Sequence, residues 1–382
     1  MILLSPGCTT PQLNTPPVFA DVGEPLPFLT DDELVRFEAG KALFVRPFAP
    51  SEGLGPRFNE NACSACHTFP ADGGTGETSV TKATRFSDDG RCDLLVPQGG
   101  ENIRIQVTPL TRSLGGFPER SVAGATHTAR FTIPFVFGLG LVDAIPVETL
   151  EARADPDDRD GDGISGRLGT DGSGQPARFG RKADVATLAD FAAGAFGLEM
   201  GLTTPVHPDE SRTGSLPAVP EGSDPAADPE VDAETLGRVV DFMRFLAPPA
   251  PAELDGDPQV AQGREQFESL GCVRCHVPEM RAGHHASTAL SDQSIALFSD
   301  LLLHDMGAAL TGTCAPGASP TEYRTEPLMG LRYRQLYLHD GRTSRVMDAI
   351  LLHGGEAQKA RDAFAALDRL TQETLLRFLN TL

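Results

Sequence analysis

The chain has 382 residues, with 32 Lys and Arg against 53 Asp and Glu, and a formal net charge of -21. This charge disfavours binding to nucleic acid, and no run of 18 apolar residues is present to form a membrane-spanning helix. Glycine (40) and proline (31) are abundant, and phenylalanine (21) supplies most of the aromatic side chains. This composition predicts a loop-rich globular chain that is long enough for two domains.

The N-terminal sequence MILLSPGC resembles the end of an exported protein's leader, because small residues come just before Cys8. A complete signal peptide needs a charged segment and a longer apolar stretch than this sequence supplies. Two interpretations stay open: a truncated or misassigned lipoprotein leader with a lipid anchor on Cys8, or a disordered tail. In both, residues 1–29 form a leader or tail, and the first predicted helix begins at a capping box, residues 30–33.

The first motif, CSACH, contains Cys63, Cys66 and His67 in the spacing of a c-type haem attachment site. The two cysteines are expected to form thioether bonds to the porphyrin, and His67 is expected to be the proximal iron ligand. Residues 68–126 contain no histidine, methionine or tyrosine, so no ligand for the opposite side of the iron follows nearby. The nearest downstream candidates are His127, Met200 and His207.

Two stretches rich in Gly, Asp and Pro, about residues 70–126 and 153–180, are predicted to be long loops that are too polar to form a core. The second contains DDRDGDGISGR, in which alternating aspartates followed by a glycine are typical of a calcium loop. The twelfth position is Gly169 and not an acid, so the loop is not a complete EF-hand. The alternatives are a calcium site and an acidic turn. The candidate ligands are Asp158, Asp160 and Asp162.

The second half of the sequence repeats features of the first half in the same order. Each attachment motif follows a Gly-x-x-x-Phe pattern on a predicted helix, first at Gly40 and Phe44 and then at Gly263 and Phe267. Each half then ends on an amphipathic helix that carries Arg-Phe-Leu. The second motif consists of Cys272, Cys275 and His276, with His276 as the expected proximal ligand.

These repeats predict a mainly α fold of two cytochrome c-like domains, loop-rich and related by internal duplication. The N-terminal domain covers residues 30–250 with the first haem, and the C-terminal domain covers residues 251–382 with the second. A proline-rich linker near residues 247–257 joins them.

Cys-x-x-Cys pairs also occur in zinc sites and in thioredoxin-type redox sites. A zinc site needs a further pair of ligands at matching spacing, and a redox site needs a βαβ context; the sequence has neither. Two covalently bound haem c groups are therefore predicted. Of the remaining cysteines, Cys92 and Cys314 either form a disulfide in an exported compartment or stay as two separate thiols.

Four longer sequences, DGDGISGR, RFGRKADVATL, DLLLHDMG and YLHDGRTSRVMDAILLHGGEA, resemble the bacterial dihaem c-type oxidoreductase family of peroxidases, also labelled thiol oxidoreductases. The resemblance covers about residues 30–382. More distantly, the order of parts is similar to the dihaem cytochrome c peroxidases and MauG. The resemblance implies two predominantly helical cytochrome c folds that face each other, with one haem for electron transfer and one for peroxide.

The resemblance also implies a sixth ligand for the second haem. In the peroxidases and MauG, a His-Asp/Asn-Gly motif precedes this ligand by fourteen residues; here the motif begins at His339 and the matching position is His353. A His276/His353 iron is saturated and suits electron relay, and His339 is expected to be a hydrogen-bonding residue near the haem. The competing ligands are Met329, Met347, His304 and Met306.

For the first haem, the resemblance points to a catalytic carboxylate. The peroxidases carry a Glu-Met pair after an Ala/Gly-rich helix, and LADFAAGAFGLEMG has Glu199 and Met200 in a similar place. Glu199 would move a proton between the peroxide oxygens, unless it is a solvated carboxylate at a helix end. Arg181 would stabilise charge on the leaving oxygen, or the cationic residues of ARFGRKA would bind haem propionates. These residues are Arg178, Arg181 and Lys182.

The combined prediction is an exported, periplasmic dihaem peroxidase in which the second haem relays electrons and the first binds and cleaves peroxide. Its partners would be hydrogen peroxide and a small electron-donor protein or other reductant. It would not bind nucleic acid, and it would contact a membrane only through Cys8. The alternatives are a non-enzymatic electron-transfer cytochrome and MauG-like oxidation of a partner protein. The absence of tryptophan disfavours the latter, because many related enzymes place a tryptophan between the haems.

Overall fold

The computed structural model describes residues 16–208, 218–252 and 256–382. Cys8 and its predicted lipid anchor lie outside the described residues. The α-helices are α1 (Asp31–Val45), α2 (Pro109–Ser113), α3 (Leu139–Asp143), α4 (Val147–Glu151), α5 (Leu188–Ala195), α6 (Ala233–Phe245), α7 (Pro258–Ser269), α8 (Val346–Leu351), α9 (Gln358–Ala365) and α10 (Arg369–Leu379). A π-helical turn, Phe196–Met200, continues α5.

The strands are short, apart from β2 and β6, and all the pairs are antiparallel. They are β1 (Arg57–Phe58), β2 (Ser79–Phe86), β3 (Cys92–Asp93), β4 (Asn102–Ile103), β5 (Gln106–Val107), β6 (His127–Thr132), β7 (Gly169–Thr170), β8 (Pro176–Ala177), β9 (Met280–Arg281), β10 (Ser294–Ile295), β11 (Leu303–Asp305) and β12 (Glu322–Arg324).

The sequence signals for helix starts are confirmed. At α1 the Thr30 hydroxyl accepts from the Glu33 backbone N–H at 3.3 Å, and the Glu33 carboxylate accepts from the Thr30 N–H at 2.8 Å. This is the reciprocal capping box that the residues predict. The aspartates Asp232 and Asp368 cap the starts of α6 and α10 in the same position.

Two helix pairs carry the attachment motifs, and a glycine lies at the crossing of each. Helix α1 packs on α6, and α7 packs on α10. A Cβ added to Gly40 would stand 2.0 Å from the carbonyl oxygen of Arg238, and one added to Gly263 would stand 2.4 Å from that of Thr374. Since no side chain fits there, the glycine in each Gly-x-x-x-Phe pattern lets the two helices approach closely.

The largest hydrophobic cluster crosses the predicted domain boundary. It combines the buried faces of α1, α3, α5 and α6 with residues 280–302 from the second half. A second cluster joins α7 and α10 around Phe267, Phe364 and Phe378. In the segment assigned to a leader or tail, Val18 and Leu26 are buried in the first cluster. The described part of the predicted linker is also packed, since Ala247 donates its N–H to the carbonyl oxygen of Glu24 at 3.1 Å.

The insertion at residues 70–126 contains structure that the sequence prediction of a polar loop missed. Strand β2 pairs with β3, β4 and β6 in a four-stranded sheet. Beside this sheet Ala83, Leu95, Ile103 and Val122 form a small core. The prediction of a mainly α fold therefore holds only in part, because β-branched and apolar residues of this segment fall where they pair and pack. Loops connect most of the elements.

A disulfide joins Cys92 on β3 to Cys314 in the second half of the chain. The Cys314 backbone N–H also donates to the hydroxyl of Thr84 on β2 at 3.2 Å. Of the two alternatives for these cysteines, the structure has the disulfide and not two separate thiols. The sheet of the insertion is therefore bonded covalently to the C-terminal half. Among the described residues, no helix has the length and apolar character needed to cross a bilayer.

Candidate active site

The first motif begins with a 3-10 turn, Cys63–Ala65, which follows α1 and the short strand β1 in the chain. The His67 Nδ1 donates to the carbonyl oxygen of Gly74 at 2.9 Å, and the Phe44 ring lies 6.0 Å from the imidazole. Burial lowers the pKa of His67, although backbone hydrogen bonds to Gly74 and Pro134 oppose this, so the neutral ring with its proton on Nδ1 is favoured. This is the tautomer that an iron-ligating histidine needs.

None of the four cysteines of the two motifs is paired in a disulfide. Burial raises the pKa of the Cys63 thiol to about 12 and that of Cys66 to about 11. The thiols therefore lie in apolar surroundings and are not activated thiolates, which agrees with the absence of a thioredoxin-type environment.

A cavity opens beside the first motif and has two kinds of wall. Its apolar wall includes Val80, Phe131, Ile133, Val136 and Phe196. Its polar wall includes Lys82, Glu101, Asn102, Arg181, Asp184 and Glu199. An apolar slot with a histidine and two thiols at one edge fits a haem that is attached through this motif.

The carboxylate of Glu199 faces this cavity and is held by two amides. Asn59 Nδ2 donates to Oε2 at 2.7 Å, and Asn102 Nδ2 donates to Oε1 at 2.5 Å. Burial raises the pKa of Glu199, although the hydrogen bond from Asn59 opposes this. Glu199 is therefore not a solvated carboxylate at a helix end; it is a positioned group that can take and return a proton.

Three further charged residues meet in the cavity, and the sequence prediction did not name them. Lys82 on β2 contacts Glu101 at 3.1 Å. Burial works to lower the pKa of Lys82, but Glu101 and Asp184 raise it overall. Burial raises the pKa of Asp184 to about 6. No local sequence pattern marks these residues, because they come from three separate segments.

The candidates for the opposite side of the first haem lie in different places. Met200 lines the cavity and is 3% exposed. His127 and His207 are not among the lining residues. His127 lies at the outer end of β6, where its Nδ1 is 2.9 Å from the Thr126 hydroxyl and its ring packs on Phe86.

The three basic residues of ARFGRKA do not act together. Arg178 Nη1 donates to backbone carbonyl oxygens at the end of α3, those of Val142 and Ile145, and its side chain does not line the cavity. Lys182 Nζ donates to the carbonyl oxygen of Ser319 at 3.0 Å, and burial lowers its pKa to about 7. Arg181 faces the cavity and donates to the Thr132 hydroxyl at 2.8 Å. Of these two arginines, only Arg181 therefore faces the cavity, where it can act on a bound group.

The second motif repeats the geometry of the first. The His276 Nδ1 donates to the carbonyl oxygen of Phe298 at 3.0 Å, and burial lowers the pKa of His276 to about 4. His353, on the turn after α8, donates from Nδ1 to the carbonyl oxygen of Ala349 at 2.7 Å. It is close enough to His276 to contribute to its lowered pKa. Both imidazoles are thus neutral with a free Nε2, as two axial ligands require.

The competing ligands for the second haem have other partners. His304 contacts Asp300 with Nε2 at 2.9 Å and Glu356 with Nδ1 at 2.7 Å. Burial opposes the charged form, but these hydrogen bonds raise the pKa of His304, so the ring is an imidazolium without a free lone pair. Met329 and Met347 pack in the two hydrophobic clusters, and Met306 is half-buried after β11.

His339 stacks on Tyr323 with ring centroids 4.3 Å apart, and it packs on the cavity-lining Phe131. Burial lowers the pKa of His339 to about 4, and its buried Nε2 has no hydrogen-bond partner among the described residues. His339 therefore lies against the wall of the first cavity, and its predicted role as a hydrogen-bonding residue has a free nitrogen to use.

The acidic loop brings its three aspartates together, with candidate ligand atoms within 4.8 Å of one another. Asp158 accepts from the Gly163 N–H at 3.1 Å, as in a tight turn. Asp162 also pairs with Arg274, which lies inside the second motif. The loop is thus tied to the second attachment site, whether or not a metal binds.

The family model described as "Di-haem oxidoreductase, putative peroxidase" matches residues 124–382, which include the second motif, His339 and His353. No curated protein matches. Among solved structures, diheme peroxidase BthA from Burkholderia thailandensis is 14% identical, with a TM-score of 0.46 over 93% of this chain and 87% of that one.

Two more solved structures are similar at the same level. A MauG-like protein associated with microbial copper homeostasis is 14% identical, with a TM-score of 0.43 over 97% of this chain and 94% of that one. Kuenenia stuttgartiensis hydrazine synthase is 13% identical, with a TM-score of 0.42 over 100% of this chain and 99% of that one. The family match covers more than half of the sequence and includes its second attachment motif, and the chain therefore belongs to the di-haem oxidoreductase family.

Proposed function

We propose that this enzyme is an exported dihaem c-type peroxidase that reduces hydrogen peroxide with electrons from a small donor protein or other reductant. Membership of the di-haem oxidoreductase family supplies the two haems and the enzyme class. The observation that carries the peroxidase assignment is the position of Glu199, a buried carboxylate clamped by two asparagines in the cavity beside His67.

In this proposal the first haem is bound through Cys63, Cys66 and His67, and the second through Cys272, Cys275 and His276. When bound, haem iron supplies a site for peroxide and a store of electrons. His276 and His353 would both ligate the second iron, which suits electron relay. The same hydrogen bond occurs at three histidines, His67, His276 and His353. In each, the Nδ1–H donates to a backbone carbonyl oxygen, which supports their assignment as iron ligands.

The protein's own part in peroxide cleavage would be to move protons. Glu199 would take a proton from the peroxide oxygen near the iron and give it to the departing oxygen. Burial raises its pKa, so the protonated form is more accessible to Glu199 than to a carboxylate in water. Arg181 reaches the same cavity, where it would either stabilise negative charge on the departing oxygen or hold a haem propionate.

The test is the spin state of the first haem in the purified holoenzyme. We expect a high-spin ferric signal, in the oxidised or the half-reduced protein, that changes when cyanide or peroxide is added. Only low-spin signals, unchanged by either addition in both states, would contradict the proposal and favour the non-enzymatic electron-transfer cytochrome. Consumption of peroxide that requires an added partner protein, with peroxide reduced as that protein is oxidised, would favour a MauG-like enzyme.

Three parts of the proposal concern chemistry away from the iron. The disulfide Cys92–Cys314 supports an exported, periplasmic location, since disulfides persist in oxidising compartments. A lipid anchor at Cys8 is proposed from the sequence alone.

Calcium bound at Asp158, Asp160 and Asp162 would fix the acidic loop against Arg274. Elemental analysis after dialysis, with and without a chelator, tests whether calcium binds.

A further inference from the structure

Four charged side chains meet between the two halves of the chain. The carboxylate of Glu326 contacts Arg181 Nη1 at 3.0 Å, Arg324 Nη2 at 2.8 Å and Arg334 Nη1 at 2.7 Å. We refer to Arg181, Arg324 and Arg334 as the arginine triad. Arg181 comes from the first half of the chain and the other two from the second, so the triad forms only when the halves pack together.

The triad carries more positive charge than Glu326 can balance. The three side chains are only 13%, 7% and 10% exposed. Burial works to raise the pKa of Glu326, but the three arginines hold it well below its usual value, so Glu326 is ionised. Glu326 is the one carboxylate that contacts all three guanidinium cations, and Asp184 acts on Arg324 through its charge, so the cluster keeps an excess of buried positive charge. Such charges are costly in a protein interior unless an anion pairs with them.

Each arginine also keeps an unused donor. The Nε atoms of Arg181, Arg324 and Arg334 are buried, and none has a hydrogen-bond partner among the described residues. Buried donors are nearly always paired in folded proteins. Three orphaned Nε–H groups around one centre therefore indicate a ligand with several acceptor oxygens. A guanidinium binds a carboxylate through two parallel hydrogen bonds, and Nε supplies one of them in the side-on arrangement.

The triad lies next to the cofactor cavity. Arg181 lines the cavity beside His67, and the Arg324 backbone N–H donates to the Arg181 carbonyl oxygen at 2.9 Å. Arg334 stacks over Phe135 at 4.6 Å and lies near Tyr337, which packs in the second hydrophobic cluster. An anion bound to the triad would therefore lie beside the cavity of the first motif and close to the hydrophobic cluster of α7 and α10.

We propose that the arginine triad binds propionate carboxylates of haem at the junction of the two halves. The ligand class follows from the chemistry, because a propionate is a carboxylate already tethered beside this cavity and needs no diffusing anion. The inference rests on the two haems of the proposed function but not on peroxidase turnover. Binding a propionate here would neutralise part of its negative charge and so raise the midpoint potential of the haem that carries it.

The experiment compares holoenzymes of wild type, Arg324→Gln and Arg334→Gln, with Arg332→Gln as the control. Arg332 is two residues from Arg334, but its guanidinium stacks on Tyr333 and donates to the Ala250 carbonyl oxygen, outside the triad. We expect the triad variants to shift the propionate bending band in the resonance Raman spectrum and to lower one midpoint potential. The control should leave both unchanged.

Glu326→Gln tests the direction of the change in midpoint potential. It also provides a test if an arginine variant does not fold. It removes the competing carboxylate, so the same midpoint potential should rise instead of fall. Unchanged Raman bands and potentials in a folded triad variant, or a fall in Glu326→Gln, would overturn the inference while leaving the peroxidase assignment intact. A wild-type protein with fewer than two haems would instead overturn the haem content on which both depend.

Discussion

The side-chain amide of Asn59 donates a 2.7 Å hydrogen bond to the carboxylate of Glu199, although 140 residues separate them in the chain. Asn102 completes the clamp from the inserted sheet. A carboxylate held by two amides cannot rotate away from the cavity, so its position is set before any substrate arrives. Pre-positioning of this kind is what proton transfer to a reacting group requires.

Glu199→Gln should therefore slow peroxide consumption by about a hundredfold or more, the usual contribution of a positioned acid or base. The amide keeps the shape of the side chain but cannot exchange a proton. Peroxide consumption by the purified holoenzyme measures the effect, with haem content and the ferric spectrum as controls for folding. Normal turnover with full haem content would remove Glu199 from the mechanism.

His353→Ala should remove one low-spin ferric signal from the EPR spectrum, because the second iron would lose its sixth ligand. Met347→Leu is the matched control, since Met347 is a competing ligand on the neighbouring α8 and packs in the hydrophobic cluster. We expect this control to keep that low-spin signal. The reverse pattern would assign the ligand to Met347.

Gly263→Ala should destabilise the protein by about 1–3 kcal/mol, the usual cost of overpacking, because the new Cβ would collide with the Thr374 carbonyl oxygen. Gly40→Ala should act in the same way against Arg238. Gly237→Ala on α6 is the control, since its Cβ would meet nothing within 4 Å. There alanine should stabilise the helix by about 0.5–1 kcal/mol. Urea unfolding measures all three, and equal midpoints would refute the close helix contact.

Asp184→Asn should change how stability depends on pH. The folded-state pKa of Asp184 is raised to about 6 from an ordinary 3.8, so this group favours folding at low pH and loses that contribution as pH rises through about 6. The variant has no carboxyl group at this position, so its stability does not fall through the titration of residue 184. Its free energy of unfolding relative to wild type should therefore increase by about 1–2 kcal/mol between pH 4 and pH 7. Parallel pH profiles would show that Asp184 titrates normally.

Replacing both Cys92 and Cys314 by serine should lower the free energy of unfolding by about 2–5 kcal/mol, as for other native disulfides. The bond ties β3 to the C-terminal half, so its loss frees the inserted sheet. Thermal unfolding of the variant, compared with wild type in the presence and absence of reductant, measures this. If reductant lowers the stability of the variant as much as that of wild type, the effect does not come from this disulfide.

The family membership and several local features could be predicted from residues close together in the sequence. The two Cys-x-x-Cys-His motifs are complete within five residues each, and the capping box of α1 within four. The helices with Gly40 and Gly263 were also predictable, because helical periodicity and caps are local properties. The sheet of strands β2, β3, β4 and β6 was not, since the pairing of β2 with β4 and β6 depends on contacts between segments that are far apart in the sequence.

What the sequence by itself determined is therefore membership of the di-haem oxidoreductase family, because the motifs that mark it are short and have fixed spacings. What only the tertiary structure decided is which charges face the cofactor. Lys82, Glu101 and Asp184 meet from separate segments, and the arginine triad draws on both halves. Glu326 has no local pattern that marks it as the centre of three cations. Electrostatic interactions depend on distance through space, and the chain reaches those distances only by folding.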